Sequence, residues 1–297
     1  MAKIATPLRY PGGKSGLSGF VKLIFAANDL MDGEYAEPYC GGAGVAMELL
    51  QSEFVHRVHL NDVDPAIYAF WWSVFNETES LCRKISNTKL SVANWRRQRG
   101  VFNAPKNRSK LELGFSAFYL NRVNRSGILS AGPIGGFEQN GEWGMDARFN
   151  RPALISMIES IAKFKDRTVL YQEDAEEFIR KIVAKLPSRS LIYLDPPYVV
   201  KCQRLYLNAY EEEDHVAIAS TIQKVEHLPW IVSYDNADLI TKLYAQRRSM
   251  AYTIGYSANI RSNGSEVIIF SDGMRVPEVK SPLSIYGSKL RKLLRAA

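Results

Sequence analysis

The chain of 297 residues is poor in cysteine and histidine and has no long apolar run. Its three cysteines, Cys40, Cys82 and Cys202, stand far apart, so they make neither a disulfide framework nor a zinc pattern, and no metal is expected. So few thiols suit a reducing cytoplasm. No stretch is apolar for long enough to cross a bilayer, and the first residues lack an apolar signal core, so no membrane partner is expected. Internal repeats and low-complexity segments are missing too. What is there is ordinary for a globular chain: 46% hydrophobic and 23% charged residues can bury a sizeable core. The length admits one large domain, or a domain with an insertion. A formal net charge of +7 leans toward polyanions, without marking nucleic-acid binding by itself.

Residues 191–198, Leu-Ile-Tyr-Leu-Asp-Pro-Pro-Tyr, organise the rest. Leu191 to Leu194 predict a buried strand. It ends at Asp195, because two successive prolines cannot donate to a sheet ladder. An acid on a stiff turn at the carboxyl end of a strand lies where open α/β sheets bind ligands. Asp195 and the carbonyl of Pro196 can accept hydrogen bonds from a planar amine, with Pro197 stiffening the turn and the Tyr198 ring stacking on the heterocycle. The bland alternative is an ordinary proline turn. The whole run resembles the catalytic motif of amino-group methyltransferases, which use S-adenosylmethionine on adenine or cytosine in DNA.

Toward the N-terminus, Pro11, Gly12 and Gly13 predict a tight turn, with Lys14 and Ser15 opening a helix. A glycine turn, a lysine and a helix N-terminus can take an anion or carboxylate. The spacing lacks the first glycine of a phosphate loop. Residues 35–50 predict a strand end, a loop with Gly41, Gly42 and Gly44, and a helix. These glycines leave room for a ligand at the backbone. A strand over 58–60 follows, and Asp62 falls about 20 residues past the loop, where nucleotide-binding α/β units carry a ribose-binding acid. Asp64 is the rival for that role, although it reads better as the cap of a helix starting at Pro65.

Residues 75–160 change character. A basic run from Arg83 to Lys110 includes Arg96 and Arg97 beside Trp95. It suits phosphate contacts, or else a solvated helix face. From Phe118 to Arg151 the chain is dense in Asn, Arg, Gly and aromatic residues without clean periodicity. This predicts loops that bring Asn121, Arg122, Asn124, Arg125, Ser126, Gly127 and Arg148 to DNA. We therefore expect residues 1–74 and 161–297 to form a catalytic sheet domain, and residues 75–160 to be a mostly helical and looped DNA-recognition insertion.

In the remainder, residues 168–171 predict a strand followed by Asp174, which could cap the next helix and line a site at once. Residues 199–210 read as a loop able to close over the site. Residues 211–225 and 239–243 predict helices and 230–234 a strand. Residues 250–254 and 266–270 predict an antiparallel sheet end, with a polar loop over 259–264. The tail from Lys280 reads as a solvated basic terminus rather than a helix on DNA.

Taken in order, Arg9-Tyr10-Pro11-Gly12-Gly13-Lys14, Glu37-Pro38-Tyr39-Cys40-Gly41-Gly42-Ala43-Gly44 and Asp195-Pro196-Pro197-Tyr198 resemble the Dam-like family of DNA adenine methyltransferases over most of the chain. The resemblance implies a Rossmann-like methyltransferase fold: a mixed α/β sheet flanked by helices, with the DNA-reading insertion between the cofactor half and the catalytic motif. It implies S-adenosylmethionine as cofactor, with Tyr10, Gly13 and Lys14 lining its pocket and Lys14 facing its carboxylate. Glu37, Pro38, Gly41 and Gly44 would flank the methionine part, Asp62 would take the ribose hydroxyls, and Asp174 would lie by the adenine ring. Similar proteins often have Phe and a single Gly where this chain has Tyr39-Cys40-Gly41-Gly42. The implied partner is double-stranded DNA, with a cognate restriction endonuclease as a candidate second partner, and a monomer is expected over a dimer. Rival readings are the same chemistry on cytosine or on RNA, a silent DNA-binding homologue, and a nicotinamide-dependent oxidoreductase. The last gives no account of Asp-Pro-Pro-Tyr beside a basic insertion.

Overall fold

Alternation along the strands sorts side chains onto two faces of a sheet. Leu191 and Tyr193 enter one hydrophobic cluster, while Ile192 and Leu194 enter another. Ile231 and Ile268 likewise join the first, and Val232 and Ile269 the second. A strand buried on both faces reads as a continuous apolar run, which is why residues 191–194 lack polar alternation.

The computed structural model describes residues 6–9, 14–199, 210–256, 262–283 and 285–295. Seven strands, β1 (Gly33–Glu37), β2 (Val55–Asn61), β3 (Thr168–Tyr171), β4 (Ser190–Leu194), β5 (Trp230–Asp235), β6 (Ser249–Tyr256) and β7 (Ser262–Phe270), make one sheet. Their order is β3-β2-β1-β4-β5-β7-β6. The first five are parallel, and β7 lies antiparallel between β5 and β6. The chain runs outward from β1 to β3 and then returns to β4, so the order reverses between β1 and β4. The carboxyl ends of those two strands therefore open a crevice. The mixed sheet and its antiparallel end agree with expectation. Of the predicted loop over 259–264, residues 259–261 fall outside the described residues, and residues 262–264 belong to β7 instead.

The helices are α1 (Ser18–Ala27), α2 (Gly44–Gln51), α3 (Pro65–Asn76), α4 (Thr78–Asn87), α5 (Val92–Asn103), α6 (Lys110–Val123), α7 (Arg151–Ala162), α8 (Ala175–Lys181), α9 (Glu212–Gln223), α10 (Asp238–Leu243) and α11 (Gly287–Leu294). Local chemistry sets several starts. Asp64 caps α3 by accepting from the Ala66 amide at 2.8 Å, with Pro65 at its first position. Ser109 and Glu112 close a capping box on α6.

Two expectations need correction. Residues 118–123, read as the start of the loops, are the last turns of α6, and from Leu113 to Asn121 this helix is buried throughout. It packs so closely on α3 that a Cβ on Gly114 would stand 2.4 Å from the Ala69 carbonyl oxygen. With both of its sides covered, this helix has no amphipathic stripe to betray it. From residues 75–160, Leu81, Trp95, Phe118 and Ile158 share one cluster with Phe20, Leu49 and Tyr193. Finally, the tail is not a solvated terminus. It forms α11 against α1, with Leu290, Leu293 and Leu294 packed on the same cluster.

Candidate active site

A cavity of about 520 Å³ opens at the strand-order reversal, lined by residues from the carboxyl ends of β1, β2, β3 and β4. Of the cofactor residues expected from sequence, Lys14, Glu37, Pro38, Gly41, Gly44, Asp62, Asp174 and Asp195 all border it. Tyr10 and Gly13 lie outside the described residues, as does most of the loop expected over 199–210.

The glycine loop is tied to the acid of the next strand. The Gly41 amide donates to Asp62 Oδ2 at 2.8 Å, and the Asp64 amide to Oδ1 at 3.0 Å. The Cys40 thiol also donates to Oδ2, at 3.9 Å, so it is Oδ1 that keeps a lone pair for a further donor. Gly41 (φ 43°) and Ala43 (φ 45°) both adopt the left-handed conformation, which turns the chain sharply into α2. Gly44 admits no side chain without a move by its neighbour, since a Cβ there would meet Ser15 Oγ at 2.1 Å. Burial, with Asp64 adding to it, pushes the Asp62 carboxyl up to about 7. Glu37 is 4% exposed, and burial pushes its carboxyl up to about 8, although Tyr35 Oη (3.0 Å) and the Ala46 amide (3.2 Å) donate to its Oε1. At neutral pH Glu37 is therefore mostly protonated. Asp174 caps α8 through the Glu176 amide at 2.9 Å and also borders the cavity, so both readings of it hold.

Around Asp195 a polar network gathers three strands. Ser233 Oγ on β5 donates to Asp195 Oδ1 at 2.7 Å, and Lys14 Nζ approaches the same oxygen at 3.0 Å. Neither contact engages Oδ2, and the side chain keeps 26% of its surface exposed. Burial raises the Asp195 carboxyl from its ordinary range, against the lowering effects of Lys14 and Ser233. The Lys14 ammonium also donates to Tyr198 Oη and stands 4.8 Å from the centre of its ring.

Pro197 borders the cavity, whereas Pro196 is buried and outside its lining. Tyr198 departs from expectation. Its ring is 7% exposed and does not line the cavity, because its hydroxyl is turned inward to Glu266 Oε1 at 2.6 Å.

The residues expected on DNA divide into two groups. Arg96, Arg97, Arg125 and Arg148 are exposed, and Ser126 is half-buried. Asn121 and Asn124 are fully buried, and assigning them to base edges is corrected. The Asn121 amide accepts from the Arg9 amide at 2.7 Å and donates to the carbonyls of Arg9 and Gly127. Asn124 accepts from the Trp95 indole at 2.7 Å and donates to the carbonyls of Ile128 and Leu129. Buried amides satisfied in this way staple loops rather than read ligands. Gly127 (φ 75°) is buried too, and a Cβ on it would strike the Arg9 carbonyl oxygen at 2.2 Å. Arg122 spends its guanidinium on the carbonyls of Arg148 and Pro7 yet still borders the cavity. Burial and the neighbouring Arg9 and Arg148 push its pKa down to about 10.

Sequence reading missed Ser233, Tyr193 and Glu266. Ser233 stands alone as a polar residue in the apolar run of β5, and Tyr193 Oη reaches it at 2.9 Å. Glu266 precedes the apolar end of β7 and is fully buried. Both were visible as polar interruptions of buried strands, a signal worth following.

Fold and site together define a class: methyltransferases that act on an amino group with S-adenosylmethionine. The residues present fit that cofactor. Asp62, Asp174 and Asp195 line the cavity with acid groups suited to a sulfonium and its ribose, Glu37 adds a mostly protonated carboxyl, and the turned glycine loop leaves the backbone accessible. The model of the D12 class N6 adenine-specific DNA methyltransferase family matches residues 10–260, and the chain belongs to that family. It is an S-adenosylmethionine-dependent adenine methyltransferase. No protein of curated function matches it in sequence.

Among solved structures, one from Pyrococcus horikoshii described as an RNA methyltransferase shares 10% identity over 89% of this chain and 85% of its own, with a TM-score of 0.41. A second, described as a methyltransferase complexed with SAH, shares 12% identity over 90% of this chain and 58% of its own, with a TM-score of 0.36. A protein from Legionella pneumophila shares 12% identity over 96% and 91% of the two chains, with a TM-score of 0.35. Overlaps this loose add no argument about the site.

Proposed function

We propose that the chain methylates the exocyclic N6 of an adenine turned out of a DNA duplex, by direct transfer at a preferred sequence. The observation that carries this reading is the state of Asp195: one oxygen is occupied by Ser233 and Lys14, and the other has no hydrogen-bond partner among the described residues, at the edge of a cavity that fits the cofactor. S-adenosylmethionine supplies the electrophilic methyl group when bound. Glu37, Pro38, Gly41 and Gly44 hold its methionine part, Asp62 its ribose hydroxyls and Asp174 its adenine.

An adenine amino group inside a stacked duplex is out of reach, so the base leaves the helix. Asp195 Oδ2 and the Pro196 carbonyl then accept hydrogen bonds from the amino group. This aligns its weak, ring-delocalised lone pair for in-line attack. Burial has made Asp195 a better proton acceptor than an ordinary carboxylate, which helps it hold the proton that the nitrogen sheds. No cysteine nucleophile takes part. Orientation and fixed dipoles supply most of the acceleration. Lys14 bridges Asp195 Oδ1 and the Tyr198 hydroxyl, which fixes the carboxylate at the edge of the cavity.

Residues 75–160 read the duplex. Arg96, Arg97, Arg125 and Arg148 make phosphate or base contacts, with Asn121, Asn124 and Gly127 holding their loops in shape. The enzyme acts as a monomer in the cytoplasm, and a restriction endonuclease of the same specificity is a candidate partner. The test is to incubate the protein with S-adenosylmethionine and unmethylated genomic DNA, digest to nucleosides and weigh the products. N6-methyladenosine in its deoxy form is expected. Methylated cytosine, product only on RNA, or binding of cofactor and DNA without product would overturn the reading.

A further inference from the structure

Glu266 is fully buried, on an antiparallel strand far from the catalytic motif in sequence. Because β7 runs against β5, its beginning lies beside the carboxyl ends of the parallel strands, and Glu266 pairs in register with Asp235 on one side and Tyr252 on the other. Its two oxygens are used separately: Oε1 accepts from Tyr198 Oη at 2.6 Å, and Oε2 accepts from Tyr252 Oη at 2.5 Å. Lys14 Nζ stands farther off, at 3.7 Å from Oε2. A carboxylate placed at such depth is costly unless its partners are well aligned, and an apolar residue would fill the space more cheaply. Two of its short contacts go to the hydroxyls of Tyr198 and Tyr252, so ion pairing with Lys14 alone does not account for it.

The turn after β4 is in fact held at three points. Ser233 holds Asp195, Asp235 Oδ1 accepts from the Val199 amide at 3.1 Å, and Glu266 holds Tyr198 between them. We propose that Glu266 is a positioning residue for methyl transfer, fixing the Tyr198 hydroxyl so that the turn presents Asp195 in one arrangement. The inference rests on the role given above to Asp195.

The test uses the full chain and four variants, Glu266→Ala, Glu266→Gln, Tyr198→Phe and Tyr198→Phe/Glu266→Ala. It reads single-turnover methylation of unmethylated genomic DNA and calorimetric binding of S-adenosylhomocysteine. Glu266→Ala should slow transfer about 10- to 100-fold, the range for losing one hydrogen bond to a charged group, while cofactor-product affinity changes less than about threefold. Tyr198→Phe should fall in the same range, and the double variant should be no slower than the worse single one, since both break one contact. Glu266→Gln should recover to within about fivefold of the parent, because its amide oxygen accepts from Tyr198 while its nitrogen can donate to Tyr252.

Normal transfer by Glu266→Ala, or losses that multiply in the double variant, would overturn the proposal. So would a fall in cofactor-product affinity matching the fall in rate, which marks a merely structural role. Should Glu266→Ala fail to fold, Tyr198→Phe decides alone: parental transfer by that variant refutes the anchor. A parent chain that methylates no nucleic acid would instead bring down the proposed function together with this inference, and so is told apart from failure of the anchor only.

Discussion

Replacing Asp195 with Asn separates shape from charge at the reacting centre. The two donors on Oδ1, Ser233 Oγ at 2.7 Å and Lys14 Nζ at 3.0 Å, require an oxygen there. The Asn carbonyl must therefore take the Oδ1 position, which puts its NH2 group where Oδ2 was. An incoming adenine amino group then meets a donor in place of an acceptor. Losing one preorganised polar group of this kind costs about 10²- to 10³-fold in rate, or roughly 3–4 kcal/mol of transition-state stabilisation. The fold should tolerate the change. Burial raises the Asp195 carboxyl, so its stabilising contribution is complete below the unfolded-state pKa and is lost as pH rises through the folded one. A neutral isostere consequently sacrifices little at neutral pH, and Lys14 keeps Glu266 within 3.7 Å. We expect the Tm to stay within a few degrees, roughly the effect of 1 kcal/mol. Single-turnover transfer of a radiolabelled methyl group, with binding of S-adenosylhomocysteine and of DNA measured separately, checks this. Transfer within about fivefold of the parent would refute the role given to Oδ2, as would a loss that lies wholly in binding.

Other consequences are simpler to read. Glu37→Gln should raise stability at pH 8 by on the order of 2 kcal/mol and give no gain at pH 5. A carboxyl raised to about 8 by burial stabilises the fold only while protonated, and that contribution drains away between the unfolded-state value and about 8. Thermal melts across that range check the sign, and an equal gain at both pH values would contradict it. Gly44→Ala should weaken S-adenosylhomocysteine binding by displacing the glycine loop, and Ser15→Ala in the same chain should recover part of it. Removing Ser15 Oγ leaves Ser15 Cβ, at 3.3 Å, as the nearest of its atoms to the added methyl group. Arg97→Ala should weaken DNA binding on all sequences alike and reduce the slope of log affinity against log salt by about 1. A change confined to one sequence would assign this exposed side chain to base reading instead.

Much of the sheet was legible because it is written in short-range terms. The apolar run Leu191 to Leu194 must be a strand buried on both faces, and Pro196 and Pro197 must stop it. Thr168 to Tyr171 form the strand the pattern suggests, and Asp64 caps the helix that Pro65 begins. The lining of the cavity was legible for a related reason. Glu37, Gly41, Asp62 and Asp174 lie at or within four residues of the carboxyl end of a strand, and such ends converge where the sheet order reverses. Residues 118–123 misled because burial on every side of α6 erases the helical period. Asn121 and Asn124 misled because a buried amide that staples a loop is spelled like one that reads a base.

The sequence by itself determined the kinds of groups that meet and the strand ends on which they ride: an acid and a tyrosine on a rigid proline turn, a glycine loop, and acids after successive strands. Only the tertiary structure decided which partner each group answers to. It set Lys14 on Asp195, turned Tyr198 inward to Glu266, and brought Ser233 onto the Asp195 carboxylate. Those pairings join residues as far apart in the chain as Lys14 and Glu266. They depend on the antiparallel insertion of β7 between β5 and β6, and no local pattern encodes which strands become neighbours.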